Sequence, residues 1–295
     1  MSVKIAIATD FNGSHGDPEV PLRQIAAAGF THLHWCHQWN TDHLYSDWEI
    51  AKIAKILRET GLTLLDIHGS DGSAGGLISS WYAPDEAFRR AGVELVMNRL
   101  RMFAMLRGEG TLMMHIPSYR VNMDEAARAV ISKRLDALRR SLDELVPVSQ
   151  ALGIPLALEN MAGDTWEEFY LLFREYPADA VGLCYDSGHA NISVDGHVAD
   201  GIEHFERHLN RLQALHLHDN DHSGDQHQPP FYGNVDWERI AADIAKSAYP
   251  RVISFELSIS NTPYAEDPVA FLKDAYARTS RVEAMLREFR AMPLH

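Results

Sequence analysis

Short β-rich apolar runs alternate with longer segments of helical periodicity from one end of this chain to the other. Such alternation is typical of parallel strands joined by helical crossovers. The predicted strands are Lys4–Ala8, His32–Cys36, Leu62–Ile67, Leu112–Ile116, Pro155–Glu159, Gly182–Asp186, Ala214–His218 and Val252–Leu257. Because eight β/α units close a TIM barrel, we expect an α/β fold, a single-domain (β/α)8 TIM barrel over residues 1–295 with a C-terminal helical extension.

The helical segments support this interpretation through their end signals. The longest, Asp124–Leu152, is followed by Gly153 and then by Pro155, as expected where a helix terminates. Asp164 precedes two glutamates and is predicted to cap the next helix. A doubly wound open sheet is the competing fold, but its first turn usually carries G-x-G-x-x-G, which Asp10–Gly16 does not match.

The charge and the cysteine content exclude several classes of protein. The chain has 27 Lys and Arg against 41 Asp and Glu, a net charge of −14, so a nucleic-acid partner is not expected. Cys36 and Cys184 are the only cysteines and lie in apolar runs, which predicts buried thiols and a reducing compartment. The N-terminus does not resemble a leader, and no run of ~18 apolar residues occurs. We therefore expect a soluble cytoplasmic protein with no membrane partner.

Four predicted strands in the second half of the chain end in a residue that can bind a metal. These residues are Glu159, Asp186, His218 and Glu256. A barrel brings the C-terminal ends of its strands onto one ring, where side chains distant in sequence converge. Any one of them alone would more ordinarily cap a helix or face solvent, but four together favour a site. Carboxylates with one imidazole suit Mn²⁺, Mg²⁺, Co²⁺ or Zn²⁺, so a divalent metal is the expected cofactor.

The histidine of this set has a neighbour on the same face. His216 and His218 point to the same side of their strand because side chains alternate with a period of two. We expect His218 to be the ligand because it is level with the other strand tips. His216 is then expected one layer deeper, where it would pack or support a ligand.

Two long loops, Gly69–Pro84 and Asn220–Asp236, follow strands on the face where such barrels carry their active sites. Both are candidate lids. We predict that the second is ordered and places Asp225 and His227 over the substrate.

The composition of the second loop supports an ordered segment. Pro229 and Pro230 stiffen its centre by fixing φ, and Gly233 is expected to permit the turn into the next helix. Phe231 and Tyr232 would then cover apolar surface near the barrel mouth and exclude water.

Five motifs in the second half carry a family resemblance. They span 157–160 (ALEN), 182–191 (GLCYDSGHAN), 216–220 (HLHDN), 225–227 (DQH) and 233–237 (GNVDW). Together they resemble the xylose-isomerase-like superfamily of sugar-phosphate isomerases and epimerases. The resemblance implies a metal-dependent (β/α)8 enzyme acting on ketoses, aldoses or inositol-derived ketones.

The same resemblance implies roles for particular residues. By matching motif, Glu159 and Glu256 would be the paired metal-bound acid and base, with Asp186 and His218 as the remaining ligands. His189, of the Asp-x-x-His motif, would contact the substrate.

The superfamily also contains endonuclease IV, whose three-zinc site uses further histidines on strands three and four and an Asp-x-His pair in the seventh loop. This chain has His68, His115, Asp225 and His227 at comparable places. The resemblance therefore leaves the number of metal ions open.

Three candidates for substrate contact lie on the first strands. His68 and His115, at the ends of strands three and four, either line the pocket or are ordinary strand-end histidines. Trp35, beside His34 at the end of strand two, could stack on a sugar face, although a buried Trp in the barrel wall fits equally well.

The expected reaction is isomerisation or epimerisation of a small polyhydroxy carbonyl compound, a sugar or sugar-like ketone. A metal on the carbonyl and the adjacent hydroxyl would stabilise an enediolate, while two glutamates take and return the proton. A dehydratase or lyase of an inosose or 3-keto-glycoside is the first alternative. A phosphodiesterase resembling endonuclease IV is the second, and the negative charge argues against it.

Two further possibilities concern binding rather than chemistry. A non-catalytic sugar-binding barrel would not be expected to retain both glutamates. The segments Pro84–Arg107 and Arg281–Arg290 could pack against another subunit in a homo-oligomer.

Overall fold

Eight parallel strands form a barrel with helices around it. The computed structural model describes residues 3–13, 15–72, 80–194, 197–198 and 201–292. The barrel strands are β1 (Ala6–Ala8), β2 (His32–Trp35), β3 (Thr63–His68), β4 (Leu112–His115), β5 (Leu156–Glu159), β6 (Val181–Asp186), β9 (Leu212–His216) and β10 (Ser254–Phe255). Each overlaps one of the predicted strands, so the predicted (β/α)8 TIM barrel is confirmed.

The barrel closes between its last two strands. The strand order is β10-β1-β2-β3-β4-β5-β6-β9, and a parallel bridge between Leu217 and Phe255 joins the two ends. There the Leu217 amide donates to Ser254 O at 3.1 Å, and the Glu256 amide donates to Leu217 O at 3.1 Å. The closing bonds thus fix the backbone of Glu256 at the mouth.

The helices lie outside the barrel. They are α1 (Glu19–Ala28), α2 (Asp47–Thr60), α3 (Glu86–Met105), α4 (Glu125–Leu152), α5 (Glu167–Glu175), α6 (Ser187–Asn191), α7 (Gly201–Arg207), α8 (Trp237–Lys246) and α9 (Pro268–Ala291). A small hairpin of β7 (Ser193–Val194) and β8 (His197–Val198), which was not predicted, lies outside the barrel sheet. The C-terminal α9 packs against α8 and α1. None of the described helices has the length and apolar character needed to cross a membrane.

One predicted helix cap is correct and another is wrong. Gly153 ends α4 with φ of 68°, as predicted. Asp164 does not cap α5, because its neighbours pair with the preceding loop: Thr165 N donates to Tyr119 O at 2.7 Å. The chain is therefore not helical until Glu167, and Asp164 accepts a hydrogen bond from Met161 N at 2.6 Å instead.

Side chains alternate along each strand between the outer and the inner face of the barrel, and the two faces carry different kinds of residue. Large apolar side chains on the outer face pack between strands and helices. Small or flexible side chains on the inner face form a separate cluster: Met113, Ala157, Cys184 and Ala214. Two residues further along each strand stand the polar residues His115, Glu159, Asp186 and His216. The period of two therefore carries these polar groups to the mouth of the barrel. Cys36 and Cys184 are both buried, as predicted.

Candidate metal centre

Three carboxylates and one imidazole converge at the mouth. The ligand atoms of Glu159, Asp186, His216 and Glu256 all lie within 4.8 Å of one another. His216 Nδ1 is 3.1 Å from Glu159 Oε1 and 3.0 Å from Glu256 Oε2. Glu159, Asp186 and His216 are fully buried, and Glu256 is nearly so. We call these four residues the central cluster.

The structure brings His216, rather than His218, into the central cluster. The strand pairing sets Asp186 beside His216, so the expectation that His216 lies a layer deeper than the other tips is wrong. Alternation gives the face of a side chain, whereas the stagger between strands sets its height. His218 lies next to the cluster, with Nε2 3.1 Å from Asp186 Oδ1 and 3.5 Å from Asp225 Oδ1.

Glu159 also belongs to a second group, which contains His68 and His115. Its Oε2 lies 3.2 Å from His115 Nε2, while Asp71 Oδ2 contacts His115 Nδ1 at 2.6 Å. His68 Nδ1 is 2.6 Å from the Gly69 carbonyl oxygen. Both predicted histidines of strands three and four therefore line the mouth.

A third group joins His218 to the loop after β9. Ligand atoms of His218, Asp225 and His227 lie within 4.8 Å of one another. The rings of His218 and His227 stack with centroids 4.2 Å apart. Asp225 Oδ2 is 3.1 Å from His227 Nε2 and 3.4 Å from His189 Nε2. Asp225 and His227 thus reach the mouth, and their position over a substrate stays a prediction.

Charge at the mouth is balanced between carboxylates and imidazoles. Burial alone would raise the pKa of Glu159 and Glu256, but the neighbouring imidazoles together outweigh it and hold both pKa values well below their usual range. His216 contributes most, with His115 beside Glu159 and His227 beside Glu256. Burial would likewise lower the pKa of His189, yet the surrounding carboxylates, Asp186 first, raise it to about 10. Glu159 and Glu256 therefore stay ionised at neutral pH.

His68 behaves in the opposite way. Burial, followed by the positive charge of His115, lowers the pKa of His68 to about 3. It is therefore a neutral imidazole at the mouth, which is the form that can accept a hydrogen bond or bind a metal.

The central cluster fits a divalent cation. Asp186 Oδ2 is buried and has no hydrogen-bond partner among the described residues. An unpaired buried oxygen of this kind is unfavourable, and a cation bound by the cluster would satisfy it. Carboxylate oxygens with one imidazole nitrogen are a donor set that Mn²⁺, Co²⁺, Zn²⁺ and Mg²⁺ accept.

Trp35 is not brought to this site. Along β2, His34 and Cys36 face the barrel interior, so Trp35 faces the surrounding helices. It is 1% exposed, and its Nε1 donates to the Tyr45 hydroxyl at 3.0 Å. Trp35 is therefore buried in the barrel wall, which was the second of the two positions expected for it.

Trp39 lies at the mouth, and the sequence analysis missed it. Its ring centroid is 4.7 Å from that of His68 and 5.5 Å from that of His115. The buried Arg99 holds its loop by donating to the backbone oxygens of Gln38 and His43 at 3.0 and 2.5 Å. The available signal was an aromatic residue in the loop after the second strand, on the active-site face.

Asp219 organises the segment Asn220–Asp236. Its carboxylate accepts hydrogen bonds from Phe231 N at 2.8 Å, Val235 N at 3.0 Å and Trp237 Nε1 at 3.0 Å. These bonds tie the second half of the segment to Asp219, which directly follows His218. The segment is therefore ordered, as predicted.

Three details of this segment differ from expectation. Gly233 is required by close packing rather than by a turn, since a Cβ there would lie 2.1 Å from Asn220 O. Tyr232 and Phe231 turn to α9 instead of the mouth. The Tyr232 hydroxyl donates to Asp274 at 2.9 Å, and the Phe231 ring lies 3.9 Å from the Arg281 guanidinium.

The other candidate lid is described only in part. Residues 73–79 of the loop Gly69–Pro84 lie outside the described residues. Of the remainder, Asp71 contacts His115 as given above, and Trp81 Nε1 donates to His115 O at 3.2 Å. This loop therefore supports His115 from two sides.

Known proteins share this architecture. A family profile described as xylose isomerase-like TIM barrel matches residues 22–275. An uncharacterised protein, y4fM of Sinorhizobium fredii, is 29% identical over 289 residues, which cover 91% of this chain and 89% of the relative. The structure of an L-ribulose 3-epimerase superposes with a TM-score of 0.72 at 18% identity, over 99% of this chain and 100% of that one. The structure of the IOLI protein with a zinc atom superposes with a TM-score of 0.67 at 13% identity, over 98% and 100%.

Proposed function

This chain belongs to the xylose isomerase-like TIM-barrel family, and we propose that it is a divalent-metal-dependent isomerase or epimerase of a sugar or sugar-like ketone. The observation that carries the proposal is the convergence of Glu159, Asp186, His216 and Glu256 at the barrel mouth. We infer that these four residues hold the metal, with His216 in the place first expected for His218. An epimerase and a zinc-containing protein among the structures of similar fold support the proposed activity and the divalent metal.

The two glutamates are suited to move a proton. When bound, the metal would polarise the substrate carbonyl and stabilise negative charge on its oxygens. Glu159 Oε1 and Glu256 Oε2 lie 3.1 and 3.0 Å from His216 Nδ1, and the lowered pKa values of both glutamates keep them ionised. One glutamate removes the proton beside the carbonyl, and the other returns a proton to the opposite face in epimerisation. If the proton is returned to the neighbouring carbon, the reaction is isomerisation.

The surrounding polar residues are proposed to hold the substrate hydroxyl groups. His189 is protonated at neutral pH and lies 3.4 Å from Glu159 Oε1, so it can donate to a substrate oxygen. His68 and His115 line one side of the mouth, and Asp225 and His227 line the other. Trp39 offers an apolar ring beside His68 on which the carbon face of a sugar can rest.

Two other reactions would use parts of the same site. A dehydratase or lyase would share the proton abstraction and then expel a group from the next carbon. A phosphodiesterase is favoured by one observation, namely that the groups around His68 and His218, together with the central cluster, give three candidate cation sites at the mouth. The net charge of −14 is unsuited to a polyanionic substrate. Faster hydrolysis of bis(p-nitrophenyl) phosphate than turnover of any ketose would favour the phosphodiesterase.

Metal content tests the ligand assignment. We expect purified protein to contain a divalent metal, and Asp186→Ala and Glu256→Ala to lose the ion that the central cluster binds. Glu167→Ala, which removes an exposed carboxylate, is the matched control and should keep it. Full occupancy at unchanged affinity in both cluster variants would refute the site.

Turnover in D₂O tests the proton transfer. A screen of free ketoses, inososes and keto-glycosides with added Mn²⁺ identifies the substrate. Deuterium at the reacting carbon is expected when Glu256 returns the proton, because its side chain is 13% exposed and exchanges with solvent, whereas that of Glu159 is 1% exposed. Glu159→Gln and Glu256→Gln should each lose at least ~10²-fold in rate. Near-normal rates in both variants would remove the glutamates from the mechanism.

A further inference from the structure

We propose that His34, Cys36 and Glu256 form a second metal site behind the central cluster, suited to a thiophilic divalent ion such as Zn²⁺. The ligand atoms of the three residues lie within 4.8 Å of one another. His34 and Cys36 are fully buried on the inner face of the barrel. The site shares Glu256 with the proposed centre but depends on no step of the proposed reaction.

His34 is oriented as metal-binding histidines usually are. Its Nδ1 is hydrogen-bonded to the Asp66 carboxylate, and because an ionised carboxylate can only accept, Nδ1 carries the proton. Its Nε2 is then left with a lone pair, and it is buried without a hydrogen-bond partner among the described residues. A carboxylate behind the imidazole fixes the ring and the tautomer in many metal sites. An ion at Nε2 would satisfy an otherwise unpaired buried atom.

Glu256 presents one oxygen to each site. Its Oε2 is 3.0 Å from His216 Nδ1 in the central cluster. Its Oε1 is 3.9 Å from Cys36 Sγ. A carboxylate placed in this way can bridge two ions, as in other two-metal sites. The second ion would hold the Glu256 carboxylate in one orientation toward the central cluster.

The donor set indicates the kind of ion. A thiolate, an imidazole and a carboxylate form a borderline-soft set that Zn²⁺ prefers over Mg²⁺ or Ca²⁺. Three protein ligands leave a fourth position for a further donor such as water.

Cys184 provides a matched control. It also lies near an imidazole and a carboxylate, but these are His216 and Glu159, which already belong to the central cluster. A thiolate ligand from Cys184 would therefore bind the central ion and not a separate one.

Cobalt substitution of the full-length protein tests the proposal. Saturation with Co²⁺ should produce a thiolate-to-cobalt charge-transfer band in the near ultraviolet. Cys36→Ser should lose this band and one equivalent of cobalt while keeping the visible bands of the central ion, and Cys184→Ser should keep the band. A band that is absent from the unsubstituted protein, survives in Cys36→Ser or disappears in Cys184→Ser would overturn the proposal.

Two further measurements keep the test independent of folding and of the proposed function. X-ray absorption of the zinc-saturated, unsubstituted protein should show a sulfur ligand at about 2.3 Å, and its absence would overturn the site. Asp186→Asn should remove the central ion while the thiolate band persists, since Asp186 belongs to the central cluster alone. Loss of the thiolate band in Asp186→Asn would mean that cysteine binds the central ion, which also overturns the second site.

Discussion

The protein buries carboxylates in two places, and they behave in opposite ways. In the central cluster, His216 keeps the pKa of Glu159 and Glu256 well below the usual range. In a second place, Asp164 and Glu168 form a carboxyl pair whose pKa values burial raises to about 7 and about 8, respectively. Burial is similar in both, so the difference lies in the imidazoles. A buried carboxylate becomes a candidate metal ligand only where cationic or metal partners accompany it.

The carboxyl groups of Asp164 and Glu168 accept hydrogen bonds from the backbone of loops at the mouth. Glu168 Oε2 accepts a hydrogen bond from Tyr119 N at 3.3 Å, and Asp164 Oδ2 accepts one from Met161 N at 2.6 Å. Tyr119 follows β4 and Met161 follows β5. The pair therefore supports two mouth loops, and neither residue belongs to a candidate cation group among the described residues.

The largest difference is expected between a substitution in the central cluster and one in the carboxyl pair of Asp164 and Glu168. Asp186→Asn is expected to lower metal content and to reduce kcat by more than ~10²-fold, because it removes a ligand of the central ion. Asp164→Asn should retain both, since Asp164 does not belong to the central cluster. Elemental analysis and kinetics of the two variants decide the matter, and equal losses in both would erase the distinction.

The imidazoles of the rim should give a smaller effect. Burial opposes protonation of His227, but Asp225 and Glu256 outweigh it and raise its pKa to about 9. His227→Ala removes a charged hydrogen bond at the mouth, so kcat/KM should fall by about 10- to 100-fold, with metal content unchanged. An unaffected kcat/KM would contradict the role proposed for the segment Asn220–Asp236. A lower metal content would assign His227 to a further ion.

Substitution of Trp39 tests whether an uncharged aromatic ring at the mouth contributes to substrate binding. Trp39→Ala should raise KM by about tenfold, as expected for the loss of aromatic stacking, without changing metal content. Trp48, which is 72% exposed, provides the control, and Trp48→Ala should leave KM unchanged. Equal KM values in Trp39→Ala and in the unsubstituted protein would exclude the ring from the substrate site.

The smallest effect is expected for Glu168 and concerns how the stability of the protein depends on pH. The pKa of Glu168 is about 8 when folded and about 4.3 when unfolded, so the folded protein binds more protons between these values. Its contribution is complete below pH ~4 and is lost as the pH rises through ~8. Glu168→Gln should flatten the fall in melting temperature between pH 5 and about 9, and the exposed control Glu167→Gln should not. An unchanged pH slope in Glu168→Gln would contradict the raised pKa.

The strands could be predicted well from the sequence, whereas the positions of their side chains along the barrel axis could be predicted less well. Apolar alternation located all eight barrel strands and placed Glu159 and Asp186 at the mouth, because both signals are local. The choice between His216 and His218 depended on the stagger of β9 against β6, which pairing along the barrel determines. Asp164 was misread as a cap for a similar reason, since the pairing of its loop with residues 119–121 is tertiary.

The carboxylate of Asp219 has a consequence for how ligands arrive. Its bonds to Phe231, Val235 and Trp237 hold the second half of the segment in place before any ligand is present. The conformational entropy of that segment is lost during folding and not again at each encounter with substrate. Ordering of this part of the chain should therefore not slow association, and discrimination between sugars should appear in how long each one stays bound.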